Sequence, residues 1–156
     1  MPVDTIDRTG ASAGLEQAAV RAGEAVLEAI GRAHAGLCLA LVDDTTIREL
    51  NRDWRGKDAA TDVLSFSQVE GEAVAGDGDM LGDVVVSVDT LRRQAASGGW
   101  TEEEELVRLV LHGVLHLVGH DHEAEADARA MRAEEGRVVA ALAAKGIACA
   151  WEDGES

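Results

Sequence analysis

Aromatic residues are nearly missing from this chain, with three tryptophans, one phenylalanine and no tyrosine among 156 residues. A core without them has to be filled mostly by leucine, valine and alanine. Long apolar runs are missing too. None approaches the roughly 20 residues that a membrane-spanning helix needs. The opening MPVDTIDRTG has no basic segment followed by an apolar stretch, the mark of a secretion signal. Cysteine is limited to Cys38 and Cys149, far apart and in no metal or redox spacing, which predicts two reduced, buried thiols. There is no internal repeat and no Pro/Ser-rich linker. These absences predict one cytoplasmic domain over residues 1–156 that makes no use of a membrane. A chain of this length buries roughly 70% of its unfolded surface, enough for one real core.

Basic residues are the other shortage. The chain has 14 Lys and Arg against 30 Asp and Glu, a net charge of −16. A field of that sign repels phosphates and disfavours nonspecific binding of polyanions. The shortage is uneven, however. Arg48, Arg52, Arg55 and Lys57 gather four of the 14 basic residues within ten positions, so nucleic acid can still be held locally. The acidic runs at 70–83, 102–105 and 121–135 read mainly as solvated faces.

The apolar pattern predicts the elements. A first strand is expected at 3–8. Apolar residues at 15, 18, 19, 22, 26 and 30 form one helical stripe. LCLALV (37–42) is short, uninterrupted and bounded by Gly36 and Asp43-Asp44, as a buried central strand should be. Asp44 or Thr45 is expected to cap the next helix, with Ile47, Leu50, Asn51 and Trp54 on one face. DVLSF (62–66) and LGDVVVS (81–87) read as strands around a long Gly- and acid-rich loop, 67–80. A helix beginning at Ser87 or Asp89 should end at Gly98-Gly99. Thr101-x-x-Glu104 is a capping box, and Glu102–Glu105 place negative charge at the positive end of the helix dipole. That helix should stop near Gly119. A last one, about 123–145, carries Ala128, Met131, Val138 and Leu142 on a stripe and ends at Gly146. The expected fold is α/β (α+β): a small mixed sheet of about four strands packed with helices.

What is abundant is histidine in one place. HGVLHLVGHDH (112–122) contains four of the five histidines. His112 and His116 lie one helical turn apart and can address one ion. Gly119 can turn the chain back, letting His122 approach from a third direction. Three imidazole nitrogens suit zinc and leave a fourth position open; nickel, copper and iron also accept imidazole. His120 falls outside this spacing, and Asp121 could orient a ligand through its other ring nitrogen. The frame H-x-x-x-H-x-x-G-x-x-H is that of zinc-dependent proteases, whose general base is a glutamate directly after the first histidine. Here that position is Gly113. Peptide cleavage by the usual route is therefore disfavoured. A phosphodiester instead needs negative charge stabilised, which an ion and an arginine supply.

LNRDWRGKDAATDVLSF (50–66), LGDVVVS (81–87) and the histidine block follow one another in an order that resembles the YbeY family, bacterial metal-dependent endoribonucleases linked to ribosomal RNA maturation. The resemblance covers roughly 40–150. It implies a zincin-like site on a helix, with His112, His116 and His122 as ligands of one zinc ion. It makes Arg55 the functional arginine and lines the cleft with TDVLSF (61–66). It also implies a single-strand-specific endoribonuclease in small-subunit 16S rRNA 3′-end maturation and ribosome quality control, with RNA, the ribosome and a ribosomal protein or assembly factor as partners. Where the family usually has prolines around TDVLSF, Ala60 and Ser67 stand here, which bears on loop shape and not on chemistry. Without the resemblance, Arg55 reads first as a helix-end arginine paired with Asp53 or Asp58. Arg52, Lys57 and Arg48 are weaker RNA contacts. Trp54 could stack on a base, but its place beside Ile47 and Leu50 favours packing. Two other readings remain open at this point: a zincin-type metalloprotease, and a non-catalytic assembly factor with a structural zinc.

Overall fold

The computed structural model describes residues 3–9, 13–67, 80–119 and 125–151. In chain order these form β1 (Val3–Asp7), α1 (Ala13–Ala29), β2 (Gly36–Val42), α2 (Asp44–Arg55), β3 (Val63–Ser67), β4 (Met80–Ser87), α3 (Val88–Gly98), α4 (Glu102–Leu117) and α5 (Glu125–Ala144). The sheet order is β1-β2-β4-β3. β1, β2 and β4 run parallel, and β3 pairs antiparallel with β4, from Val63 opposite Val86 to Ser67 opposite Gly82. LCLALV is thus a central strand, as its unbroken apolar character required. The expected loop 67–80 lies, but for its two end residues, outside the described residues.

The two faces of the sheet are covered unequally. Leu37, Leu39, Leu41, Val84 and Val86 point into the large core beneath α1, α4 and α5. The alternate residues Ala40, Val42 and Val85 meet Ile47 and Leu50 of α2 in a much smaller cluster with Leu64 and Phe66. This alternation is the period-two rule of a strand. Among the described residues, buried apolar side chains are Leu, Val and Ala apart from Ile47 and Met131, with no aromatic ring among them. Both cysteines are free and half-buried; burial pushes the Cys149 thiol up to about 12, so it stays protonated and unreactive. No helix among the described residues is long and apolar enough to cross a membrane.

One cap differs from the sequence expectation. The N-cap of α2 is Asp43, whose side chain accepts from the Thr46 N–H at 2.8 Å. Asp44 accepts instead from the Ser87 and Thr90 hydroxyls at 2.6 and 2.7 Å, joining α2 to the start of α3. At α4 the capping box of Thr101 and Glu104 forms as expected.

The glutamate run also divides. Glu105 is not a solvated dipole charge but is fully buried. It accepts from Trp100 Nε1 at 2.9 Å, from Gln94 Nε2 at 2.6 Å and from Arg108 Nε at 3.0 Å. Gln94 Nε2 also reaches Asp62 Oδ2 at 3.3 Å. A buried carboxylate is tolerated only when satisfied in this way. The network ties α3 and α4 to the entrance of β3.

Candidate active site

Beside β3 lies a cleft of ≈ 700 Å³ whose lining includes Arg55, Lys57, Asp62, Ser65, His112 and His116. Helix α4 supplies the imidazoles. Their Nε2 atoms stand 3.1 Å apart, with ring centroids 4.6 Å apart in an edge-to-face arrangement. Two nitrogens each about 2.0–2.1 Å from one tetrahedral ion are roughly 3.3 Å apart. The pair therefore fits two positions of a zinc set. Among the described residues no third His, Cys, Asp or Glu completes a group of three. His120, Asp121 and His122 lie outside the described residues. Gly119, the expected turning point, has a φ of 103°.

The second ring nitrogen of His112 has a partner that the sequence reading missed. Nδ1 is 3.4 Å from Oε2 of Glu135 on α5. In the tautomer that leaves Nε2 bare, Nδ1–H donates to this carboxylate. A signal was present. On the stripe of Ala128, Met131, Val138 and Leu142, position 135 falls four after Met131 and three before Val138. A glutamate where the stripe calls for a hydrophobe marks a carboxylate turned inward.

Gly113 has a structural reason to be glycine. A Cβ there would lie 2.6 Å from Val84 Cγ1 and 3.2 Å from Ser65 Oγ. Ser65 Oγ donates to the Gly113 carbonyl at 2.9 Å. The absent side chain lets α4 settle onto β3 and β4, and so brings His112 and His116 to the cleft.

Helix α2 supplies the cation. It stops at Gly56, whose left-handed φ of 73° is the usual glycine cap. The turn is secured by the Lys57 N–H donating to the Asn51 carbonyl at 3.2 Å, and by Asn51 Nδ2 donating to the Ala59 carbonyl at 2.9 Å. Arg55 donates through Nη2 to the Ser65 carbonyl, and its guanidinium carbon lies 5.1 Å from the Phe66 ring centroid. The carboxylates that could have neutralised it are taken: Asp53 by Arg52 at 2.9 Å and Asp58 by Arg48 at 2.8 Å. No carboxylate pairs with Arg55 among the described residues. Lys57 lines the same cleft, whereas Arg52 and Arg48 are not part of its lining. Trp54 departs from the packing expected of it, for the residue is 70% exposed.

The architecture is that of α+β proteins in which a histidine-bearing helix meets an arginine-lined cleft at the edge of a mixed sheet. Within that class, the chain belongs to the endoribonuclease YbeY family, whose model matches residues 6–143. It is 50% identical over 124 residues to an endoribonuclease YbeY of an Anaeromyxobacter species, covering 80% of this chain and 63% of that relative. The chain thus spans less than two thirds of that relative's length. It is 46% identical over 125 residues to the endoribonuclease YbeY of Pelotomaculum thermopropionicum, covering 78% of this chain and 82% of the relative. Among solved structures it is similar to the solution structure of TM1509 from Thermotoga maritima, with a TM-score of 0.54, 26% identity and 99% of each chain covered.

Proposed function

We propose that this chain is a single-domain, metal-dependent endoribonuclease of the cytoplasm, selective for single strands. Its substrate on this reading is ribosomal RNA, at the 3′ end of 16S rRNA and in ribosome quality control, with a ribosomal protein or assembly factor as partner. The observation that carries the reading is the joint presence in one cleft of the His112–His116 pair and of Arg55, which pairs with no carboxylate among the described residues. Zinc, held by His112, His116 and, from the sequence frame, His122, would supply Lewis-acid charge at a phosphoryl oxygen.

The remaining roles fall to the chain itself. Arg55 presents a planar, permanently charged fork that matches two phosphate oxygens. The Ser65 carbonyl and the Phe66 ring hold that fork in place without cancelling its charge. Lys57, which lines the cleft, contacts the RNA backbone; Arg52, paired with Asp53 and outside that lining, is a weaker contact. Glu135 holds His112 in the tautomer that presents Nε2 to the ion. A peptide would need a general base, and the direction that a side chain at 113 would take is filled by Val84.

The deciding experiment offers the purified protein a labelled single-stranded RNA, the same RNA as a duplex, and an unstructured peptide, each with and without a chelator. Cleavage of the single strand alone, lost with chelator and restored by zinc, is the expected result. Cleavage of the peptide but of neither RNA would overturn the reading. A second expectation concerns Glu135. Glu135→Ala should weaken zinc affinity about 10–100-fold, the usual consequence of losing a ligand's outer partner, read by competition with a chromophoric chelator. Glu135→Gln, which keeps an acceptor, should fall between. Unchanged affinity in both would remove Glu135 from the site.

A further inference from the structure

Of the exposed large apolar side chains among the described residues, Trp54 is the most exposed, at 70% against 49% for Ile6 and 37% for Met80. Ile6 belongs to β1, at the opposite edge of the sheet, so Trp54 is not part of one broad apolar face that includes it. The chain has only four aromatic residues, and displaying one of them in water forgoes burial free energy. The pattern of α2 gave this ring a place beside Ile47 and Leu50. It stands instead against Phe66, edge to face, with centroids 6.5 Å apart. On that same Phe66 ring sits the Arg55 guanidinium. Phe66 therefore braces both the exposed indole and the unneutralised cation of the cleft.

We infer that Trp54 is a stacking platform for one nucleobase of a single-stranded RNA whose phosphate is held by Arg55. The inference rests on the RNA-cleaving reading of the cleft and adds a base-binding subsite to it. Positive charge is in short supply: at −16 overall the chain repels a polyanion, and Arg48 and Arg52 are already paired. Stacking on an aromatic face needs no net charge and is insensitive to base identity. It does require the base to be free of its own helix, because a duplex hides its base faces. The subsite thus accounts for a preference for single strands without any contact that reads sequence.

The test uses a short fluorescein-labelled oligoadenylate in the presence of chelator, so that nothing is cut, with affinity read by anisotropy. Trp54→Ala should weaken binding by about ten-fold or more, and Trp54→Phe should retain part of the loss. With metal restored, the alanine variant should raise KM far more than it lowers kcat. An oligonucleotide carrying one abasic position should bind the wild type less tightly at that position and bind Trp54→Ala no worse than the intact strand. If the wild type neither binds nor cuts single-stranded RNA, the reading of the cleft fails and this inference with it. If the wild type binds and Trp54→Ala, shown folded by circular dichroism, binds equally, the stacking role alone fails. Loss of ribosome co-sedimentation in Trp54→Ala with RNA affinity intact would give the ring to a protein partner and overturn the inference.

Discussion

His116→Ala is expected to lose the bound ion and RNA cleavage together. The substitution removes one of the two Nε2 atoms that stand 3.1 Å apart on α4. The loss in zinc affinity should exceed the roughly 10–100-fold caused by removing an outer partner such as Glu135. Metal content after dialysis checks this directly. His116 is only partly buried, so circular dichroism should report a folded variant. A variant that keeps its ion and cuts RNA normally would remove the helix pair from the chemistry.

Arg55 is expected to separate binding of the ion from the reaction. Arg55→Ala should keep the metal and lose about 10²–10³ in rate, the scale of one charge-stabilising donor in a site of this kind. Arg55→Lys should recover only part of that loss, because an ammonium keeps the charge but not the two-pronged geometry. Arg55→Glu should be the most damaging of the three, since on the proposed reading it adds negative charge where a phosphate is held. The measurement is single-turnover cleavage of one labelled strand alongside metal content for each variant. Normal cleavage by Arg55→Glu would refute the role.

Local grammar was legible in the sequence. The capping box at Thr101, the turn at Gly119, the stop at Gly146 and the central strand at 37–42 all rest on single-residue conformational rules. So does the i, i+4 placement of His112 and His116. What escaped depends on tertiary approach. Asp43 and Asp44 are equally good caps by composition, and only the position of Ser87 and Thr90 at the start of α3 assigns them different tasks. Glu105 looked like one of four equivalent glutamates until α3 brought Gln94 and Trp100 beside it. Trp54 obeyed the stripe of α2, but it is absent from the small apolar cluster around Ile47 and stands against Phe66 edge to face. Glu135 was visible only as an interruption in an apolar stripe on a different helix from its partner. The third histidine of the frame, His122, lies outside the described residues and rests on the sequence alone.

The contact at Gly113 bears on how such a cleft could change its trade over generations. A frame of histidines shared with peptide-cutting enzymes suggests that one codon separates the two chemistries. Here a glutamate at 113 would first have to displace Val84 and crowd the Ser65 hydroxyl that donates to the helix backbone. Crowding of that kind costs about 1–3 kcal/mol before any new reaction begins. An intermediate sequence would be less stable and no more capable, so the path between the two activities crosses a valley. On the RNA-cleaving reading proposed above, the restraint comes from the packing of Val84 against α4, and the imidazoles need play no part in it.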